Sequence, residues 1–275
     1  VEYQNGQYKL MGQCADEYPI PTQTEEQNMN LVMDAHKLLS GISRSLVAAA
    51  NDALRPQLNT VCFDIQDQSI SMVSSNGNQL AMTRMPLPGV NEQGIYLLGT
   101  RPATLLKAML AKANGDVQIK LGSRTATFKS DEYALMSRLV EGHFPNYRSV
   151  IPQNNPNIVT INRQALISAL RRVLVFANAQ AVLVKFNLSA STLNISSQDI
   201  DFGKSAEESM LCDYSGNPMR IAFKGSVLLE LINNIDSEEI SLKLSDPSRA
   251  GLIVPAEQTE DQEVLMLIMP SVFND

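Results

Sequence analysis

Glu141-Gly142-His143-Phe144-Pro145-Asn146-Tyr147-Arg148-Ser149-Val150-Ile151-Pro152 divides this chain into two stretches of similar layout. Each proline fixes its own φ and drives the residue before it towards extended backbone, so the run reads as a stiff linker. On both sides the order of helix-like and strand-like segments is the same. The linker is therefore expected to join two related domains.

Before it, residues 30–51 carry a helical pattern, with Ala35, Leu38, Leu39, Ile42, Leu46, Ala49 and Ala50 forming one apolar stripe. Lys37, Gly41, Arg44, Ala48 and Asn51 fall on the opposite side. Alternating segments at 60–65, 70–74 and 80–85 read as strands, separated by the turn-like Asp67-Gln68 and Asn76-Gly77-Asn78. A second helix is expected from Thr100, with Pro102 in its first turn, burying Leu105, Leu106, Met109 and Leu110 and ending at Asn114-Gly115. Strands at 117–121, 125–129 and 133–139 follow.

After the linker, Asn162 is placed to cap a helix burying Ala165, Leu166, Ala169, Leu170 and Val173, with Arg163, Arg171 and Arg172 among its polar positions. Strands are expected at 182–188, 193–196, 209–213 and 219–223, then a short helix at 227–235 capped by Ser226. Strands at 240–244, 250–254 and 264–269 complete the copy. A repeat of about 120 residues is far longer than a solenoid unit and reads as domain duplication. The fold class is α+β, each domain setting two helices on antiparallel sheet.

The bulk properties fit that reading. A chain of 275 residues holds two ordinary domains, and 44% hydrophobic with 19% charged residues describes a soluble globular protein. No apolar run spans a bilayer, and no basic-then-apolar leader opens the chain, so a cytoplasmic protein without membrane contact is expected. Cys14, Cys62 and Cys212 are spaced for neither a disulfide framework nor a metal, and read as reduced thiols. His36 and His143 have no partner at metal-ligand or triad spacing. Residues 1–10 alternate like a strand already under way, so a fragment lacking an upstream domain is expected.

The linker run, Tyr214-Ser215-Gly216 with Met219 before a Phe-containing strand, Asn76-Gly77 followed by Leu80-Ala81, and the terminal Met269-Pro270 together resemble the bacterial DNA sliding clamp, the β subunit of the replicative polymerase. In that family three such domains form a subunit, and two subunits close head to tail into a ring around duplex DNA. The resemblance implies that residues 1–24 end a first clamp domain, 25–150 form the second and 151–275 the third. It implies a processivity factor with no catalytic residues, metal or cofactor. Its partners would be DNA held topologically, the replicative polymerase, clamp-loader subunits and repair proteins carrying short peptide motifs.

By this resemblance the peptide cleft takes Leu58, Ser75, Gly77, Gln79 and Leu80 from the second domain, Pro145 and Val150 from the linker, and Leu267, Ile268, Met269 and Pro270 from the last strand. The bore-lining cations would be Lys37, Arg44, Arg55, Arg101, Lys107, Arg163, Arg171, Arg172 and Lys224. Acidic residues such as Glu207, Glu208, Asp236, Glu260 and Asp261 are expected elsewhere, so that a chain of net charge −7 still presents one basic face. Val175 and Phe176 would meet Tyr8 and Leu10 of another copy at the subunit interface. Relatives commonly show Thr-Asp-Gly-His-Arg where this chain has Ser75-Asn76-Gly77-Asn78-Gln79, and a basic residue where it has Ser149, so the cleft rim is expected to be less cationic. Phe273 could cover the cleft or pack elsewhere.

The reading from another class is a nuclease with dispersed acids. Asp64 with Asp67, or Asp199 with Asp201, are its nearest acid pairs, and three of these four lie in likely turns where Asp is ordinary. A monomeric peptide-binding module is the third reading.

Overall fold

Asp34 ends a strand and starts a helix, its Oδ1 accepting the backbone N–H of His36 (2.9 Å) and Lys37 (3.0 Å). This computed structural model describes residues 1–17 and 27–273. The 24/25 domain boundary and the terminal Asn274-Asp275 lie outside the described residues. The helix expected over 30–51 is shorter at both ends, because residues up to the cap belong to a strand that the apolar periodicity concealed.

The start of the chain is a small hairpin, β1 (Glu2–Tyr3) and β2 (Gly6–Gln7), not one continuous strand. The first repeat runs β3 (Gln27–Asp34), α1 (Ala35–Leu46), β4 (Thr60–Gln66), β5 (Ser69–Ser75), β6 (Gln79–Pro86), β7 (Gly94–Gly99), α2 (Thr100–Leu110), β8 (Asp116–Gly122), β9 (Thr125–Lys129) and β10 (Ala134–Arg138). The second runs β11 (Asn157–Asn162), α3 (Arg163–Leu174), β12 (Leu183–Ser189), β13 (Thr192–Asp199), β14 (Lys204–Leu211), β15 (Met219–Lys224), α4 (Gly225–Asn233), β16 (Glu239–Leu244), β17 (Gly251–Pro255) and β18 (Glu263–Ile268). The order is identical, element for element, and the fold is the tandem α+β arrangement expected.

Asn162 caps α3 as expected, accepting from the Ala165 N–H at 2.9 Å. Ser226 does not cap α4, which begins two residues ahead of the expected start with Lys224 as its cap residue and no side-chain cap bond. In α2 the buried residues are Ala103, Leu106 and Leu110, whereas Leu105 is exposed. Gly41, placed on the polar side of α1, is buried; a Cβ there would come within 2.5 Å of Met72 Sδ. Glycine lets the helix approach the sheet.

Each repeat contributes two sheets, but the sheets do not stay within repeats. One four-stranded sheet, β10-β9-β8-β3, belongs to the first and another, β14-β13-β12-β15, to the second. The remaining strands merge into one eight-stranded sheet, β11-β16-β17-β18-β6-β5-β4-β7. Its central pairing is antiparallel, from Glu263 opposite Arg84 to Ile268 opposite Gln79.

Strand alternation then assigns three cores. Phe63, Ile65 and Met72 face α1 and α2, while Val264, Met266 and Ile268 join the core around α3 and α4. Ala48 and Ala81 of the first repeat also lie in that second core. Cys62, Leu80, Met82, Leu252 and Leu267 face the opposite side and are covered by Phe144, Tyr147 and Ile151. The linker is thus the lid of a third core. It includes a 3₁₀ turn, Tyr147–Val150, within the stretch read as extended.

One buried carboxylate fixes that lid. Asp64, 2% exposed, accepts from Tyr147 Oη at 2.8 Å and pairs with Arg148 Nη2 at 2.7 Å. The Arg148 guanidinium also stands 4.7 Å from the centre of the Tyr147 ring. Burial and the Asp64 acceptor push the Tyr147 hydroxyl well above its ordinary pKa, so it remains a donor. Asp64 is committed to these partners, and Asp67 sits in a turn at φ 51°, so they do not form a catalytic pair. Tyr147→Phe is expected to lower stability by about 1.5–3 kcal/mol, the range for a hydrogen bond to a charged group, with Arg148 still holding the Asp64 carboxylate. Coupling with Asp64→Asn should be non-additive. A denaturation midpoint unchanged by Tyr147→Phe contradicts the lid role.

Candidate docking cleft and helical face

The Asn76-Gly77 turn is built from its own side chains. Asn76 Oδ1 accepts from the N–H groups of Asn78 (2.9 Å) and Gln79 (3.1 Å), and Gly77 takes φ +96°, open to glycine at little cost. Ser75 Oγ donates to Gln79 O at 2.7 Å and accepts from the Gly77 N–H at 3.1 Å. The Met269 N–H donates to Asn78 O at 2.9 Å, tying the end of the chain to this turn. Leu80 and Leu267 are directly opposed across β6 and β18, both buried under the linker.

These contacts bring Ser75, Gly77, Leu80, Leu267 and Met269 to one end of the seam, with Tyr147 and Ile151 of the linker closing over its buried part. Leu58 is buried in the 3₁₀ turn Pro56–Leu58, just before β4. Of the apolar side chains assigned to the cleft, Val150 and Met269 are the accessible ones, at 57% and 39% exposure; Pro145 is also exposed. Leu58, Leu80 and Leu267 are buried.

Two assignments are corrected by alternation along the strands. Ile268 points to the opposite face from Leu267, into the α3–α4 core, and Gln79 lies opposite it in the ladder. Gln79 is buried and donates from Nε2 to Val47 O at 3.2 Å, behind the sheet and not into the cleft. Arg55 moves the other way. Its Nη1 lies 3.6 Å from where a Cβ at Gly77 would stand, and its Nε pairs with Asp52 Oδ2 at 2.8 Å. Its place at the turn restores a cation to a rim expected to lack one.

The helical cations are less free than their sequence positions implied. Lys37 pairs with Asp261 at 3.3 Å, and Arg172 holds Glu208 through two bonds of 2.7 Å. Arg163 Nε donates to Ser237 O at 2.9 Å. Arg44 is half-buried and bonds Gln262 Oε1; burial lowers its pKa while Asp236 opposes the shift. Acids expected elsewhere, Glu208, Asp236 and Asp261, therefore stand against the cations. Arg101, Lys107, Arg171 and Lys224 are exposed, with no ion pair among the described residues.

Tyr8 and Leu10 are 59% and 82% exposed, and Val175 and Phe176 75% and 39%. Phe273 packs away from the cleft. The Ser271 N–H donates to Ala222 O at 2.8 Å, and the Phe273 ring sits 5.2 Å from Lys185 Nζ and 5.8 Å from the Arg220 guanidinium carbon. Asp199 is buried at the end of β13, and Asp201 is exposed in the turn that follows.

Comparison with known proteins matches these repeats in order. The model of the DNA polymerase III beta subunit central domain matches residues 32–146, and that of its C-terminal domain residues 148–271. The Beta sliding clamp of Pseudomonas putida is 29% identical over 235 residues, covering 85% of this chain and 64% of the relative. The chain thus spans somewhat less than two thirds of that relative's length. The Beta sliding clamp of Haemophilus influenzae is 24% identical over 270 residues, 98% of this chain and 72% of its own length. Among solved structures, a DnaN sliding clamp (DNA polymerase III subunit beta) from Pseudomonas aeruginosa bound to griselimycin superposes with TM-score 0.88 at 25% identity, covering 94% of this chain and 69% of that one. A DnaN sliding clamp from Bartonella birtlesii, also bound to griselimycin, gives TM-score 0.87 at 26% identity over 94% of this chain and 70% of its own. With two consecutive models of one subunit matched along paired repeats of the same architecture, the chain belongs to the DNA polymerase III beta subunit family, the bacterial sliding clamps.

Proposed function

We propose that this chain acts as part of a DNA polymerase processivity clamp, a non-catalytic ring subunit that tethers polymerase and repair proteins through a cleft at the junction of its two repeats. Residues 25–150 and 151–275 serve as the second and third clamp domains, and 1–24 as the end of the first. The observation that carries this reading is the merging of two family-matched repeats into one sheet at β6 and β18, with the linker closing one side. Cytoplasmic replication suits such a subunit, and no helix among the described residues is long and apolar enough to cross a membrane.

The ligand of the cleft is a short peptide with an apolar pair near its end. Val150, Met269 and Pro145 offer apolar contact over a preformed floor, and Arg55 and Ser75 supply polar contacts beside Gly77. Burying one Leu and one Phe is worth about 1.5–3 kcal/mol each, against which association entropy must be set. The resulting affinity is modest, which suits partners that exchange. Polar rim identity differs from relatives through Asn78 and Ser149, so the favoured flanking residues differ too.

Tyr8 and Leu10 on one side, and Val175 and Phe176 on the other, are the patches by which copies of the whole subunit join head to tail. DNA contact falls to Arg101, Lys107, Arg171 and Lys224, with Lys37, Arg44, Arg163 and Arg172 tempered by their own acids. Sparse, weak phosphate contacts suit retention by topology, since a ring that grips does not slide.

A fluorescent peptide of the Gln-Leu-x-Leu-Phe type should bind with a Kd on the order of 1–100 μM. Val150→Asp should weaken it at least about tenfold by placing a charge against the apolar pair. Ile268→Asp should instead destabilise the fold, and Phe273→Ala should leave binding unchanged. Equal affinity of the parent and Val150→Asp in a matched titration rules out the assigned cleft.

Binding to a short linear duplex should be weak and only mildly salt-dependent. With Arg101, Lys107, Arg171 and Lys224 the DNA-facing cations free of ion pairs among the described residues, the slope of log K against log salt is expected to be no steeper than about −4. Arg171→Ala should reduce it more than Arg172→Ala, whose cation is already held by Glu208. A slope twice as steep, or equal effects of the two variants, contradicts the charge assignment.

A further inference from the structure

The two repeats differ at one strand edge. In the second repeat β11 pairs on one side with β16; on its other side, the Thr160 N–H donates to Asp213 O (2.9 Å) and the Asp213 N–H to Thr160 O (2.8 Å). Asp213 thereby closes that edge. Two markers give the matching residues of the first repeat. The helix caps Asn162 and Asp34 place Thr160 opposite Val32 in the duplication. The bond from the Cys212 N–H to Ser191 O (3.1 Å) has its counterpart in that from the Leu87 N–H to Gln68 O (2.7 Å), which aligns Asp213 with Pro88.

Proline has no N–H to give. The phase of the β3–β8 ladder follows from the Ala35 N–H bonding Gly115 O at 2.9 Å, just as the Arg163 N–H bonds Glu238 O at 2.9 Å in the second repeat. Val32, like Thr160, therefore turns its N–H and C=O away from its ladder partner. Among the described residues nothing pairs with them, and the Val32 side chain is 59% exposed. A cleft of about 380 Å³ opens between this edge and the 85–90 segment, lined by Val32, Met85, Leu87, Pro88 and Val90, with the Lys37–Asp261 ion pair at its margin.

We infer that the open β3 edge at Val32 receives an extended peptide segment of a partner protein, which pairs with the Val32 backbone as Asp213 pairs with Thr160. The second repeat shows the geometry that fits, an antiparallel segment making one reciprocal pair of backbone bonds. Met85, Leu87 and Val90 favour an apolar side chain beside it, and Lys37 with Asp261 a polar one at its end. Strand addition of this kind takes affinity from main-chain bonds and selectivity from the flanking pockets. The place is separate from the cleft at the β6–β18 seam and does not depend on it.

The test uses amide hydrogen exchange by NMR on the whole chain, with a synthetic peptide of residues 210–216 carrying Cys212→Ser as the probe. In the free protein the Val32 amide should exchange at least roughly tenfold faster than that of Thr160. At millimolar peptide it should slow by about tenfold, with resonances of residues 30–34 and 87–90 shifting and that of Val150 unmoved. Pro88→Asp, an exposed loop substitution that restores an N–H, should slow Val32 exchange without peptide and abolish the peptide's effect. The inference is overturned if Val32 is already as protected as Thr160, or if millimolar peptide leaves it unchanged. It is equally overturned if Pro88→Asp binds the peptide as the parent does, or if a dimer seen by light scattering protects Val32 on its own.

Discussion

Six residue pairs, from Glu263 opposite Arg84 to Ile268 opposite Gln79, join β18 to β6 and make two repeats share one sheet. An isolated repeat would leave each of these strands as an open edge, with unpaired N–H and C=O groups along it. Pairing them satisfies both, and it dictates what lies on each face. Helices α1 to α4 cover one side, and the linker covers the other around Leu80, Met82 and Leu267. The candidate cleft lies where this seam ends and the linker turns away, so its shape depends on the ladder beneath it.

The linker is held by electrostatics as well as by apolar contact. A carboxylate buried at Asp64 would be costly alone, and Tyr147 and Arg148 compensate it with a hydrogen bond and an ion pair. Both partners come from the linker itself. The same run that presents Pro145 and Val150 to solvent is thereby fastened to the centre of the first repeat.

Much of this was legible in the chain. Turn chemistry at Asn76-Gly77 and the cap at Asn162 were readable because their signals are local, and the duplication was readable from element order. Strands β3, β7 and β11 have no separate signal because each runs directly into a helix cap, at Asp34, Gly99 and Asn162, so apolar residues of both periods merge. The side-chain assignments failed where strand alternation decides, at Ile268 and Gln79, since adjacent residues of one motif point to opposite faces. Long-range ion pairs such as Lys37 with Asp261 and Arg172 with Glu208 have no local signal at all, and they changed the charge reading most. Arg55 was misplaced for a related reason, because only the folded turn brings it beside Gly77.

Duplication also shows where two copies of one plan diverge. Pro88 in place of Asp213 leaves the first repeat with an edge that the second closes internally. The seam strands, by contrast, are paired across the repeats, and this makes the two halves one mechanical unit. Equilibrium urea unfolding followed through residue-resolved amide signals is the most direct test of that unity. Signals of β8 and β9 in the first repeat and of β12 and β13 in the second are expected to disappear at one common midpoint. Two separated midpoints, with one repeat folded while the other is lost, would contradict it.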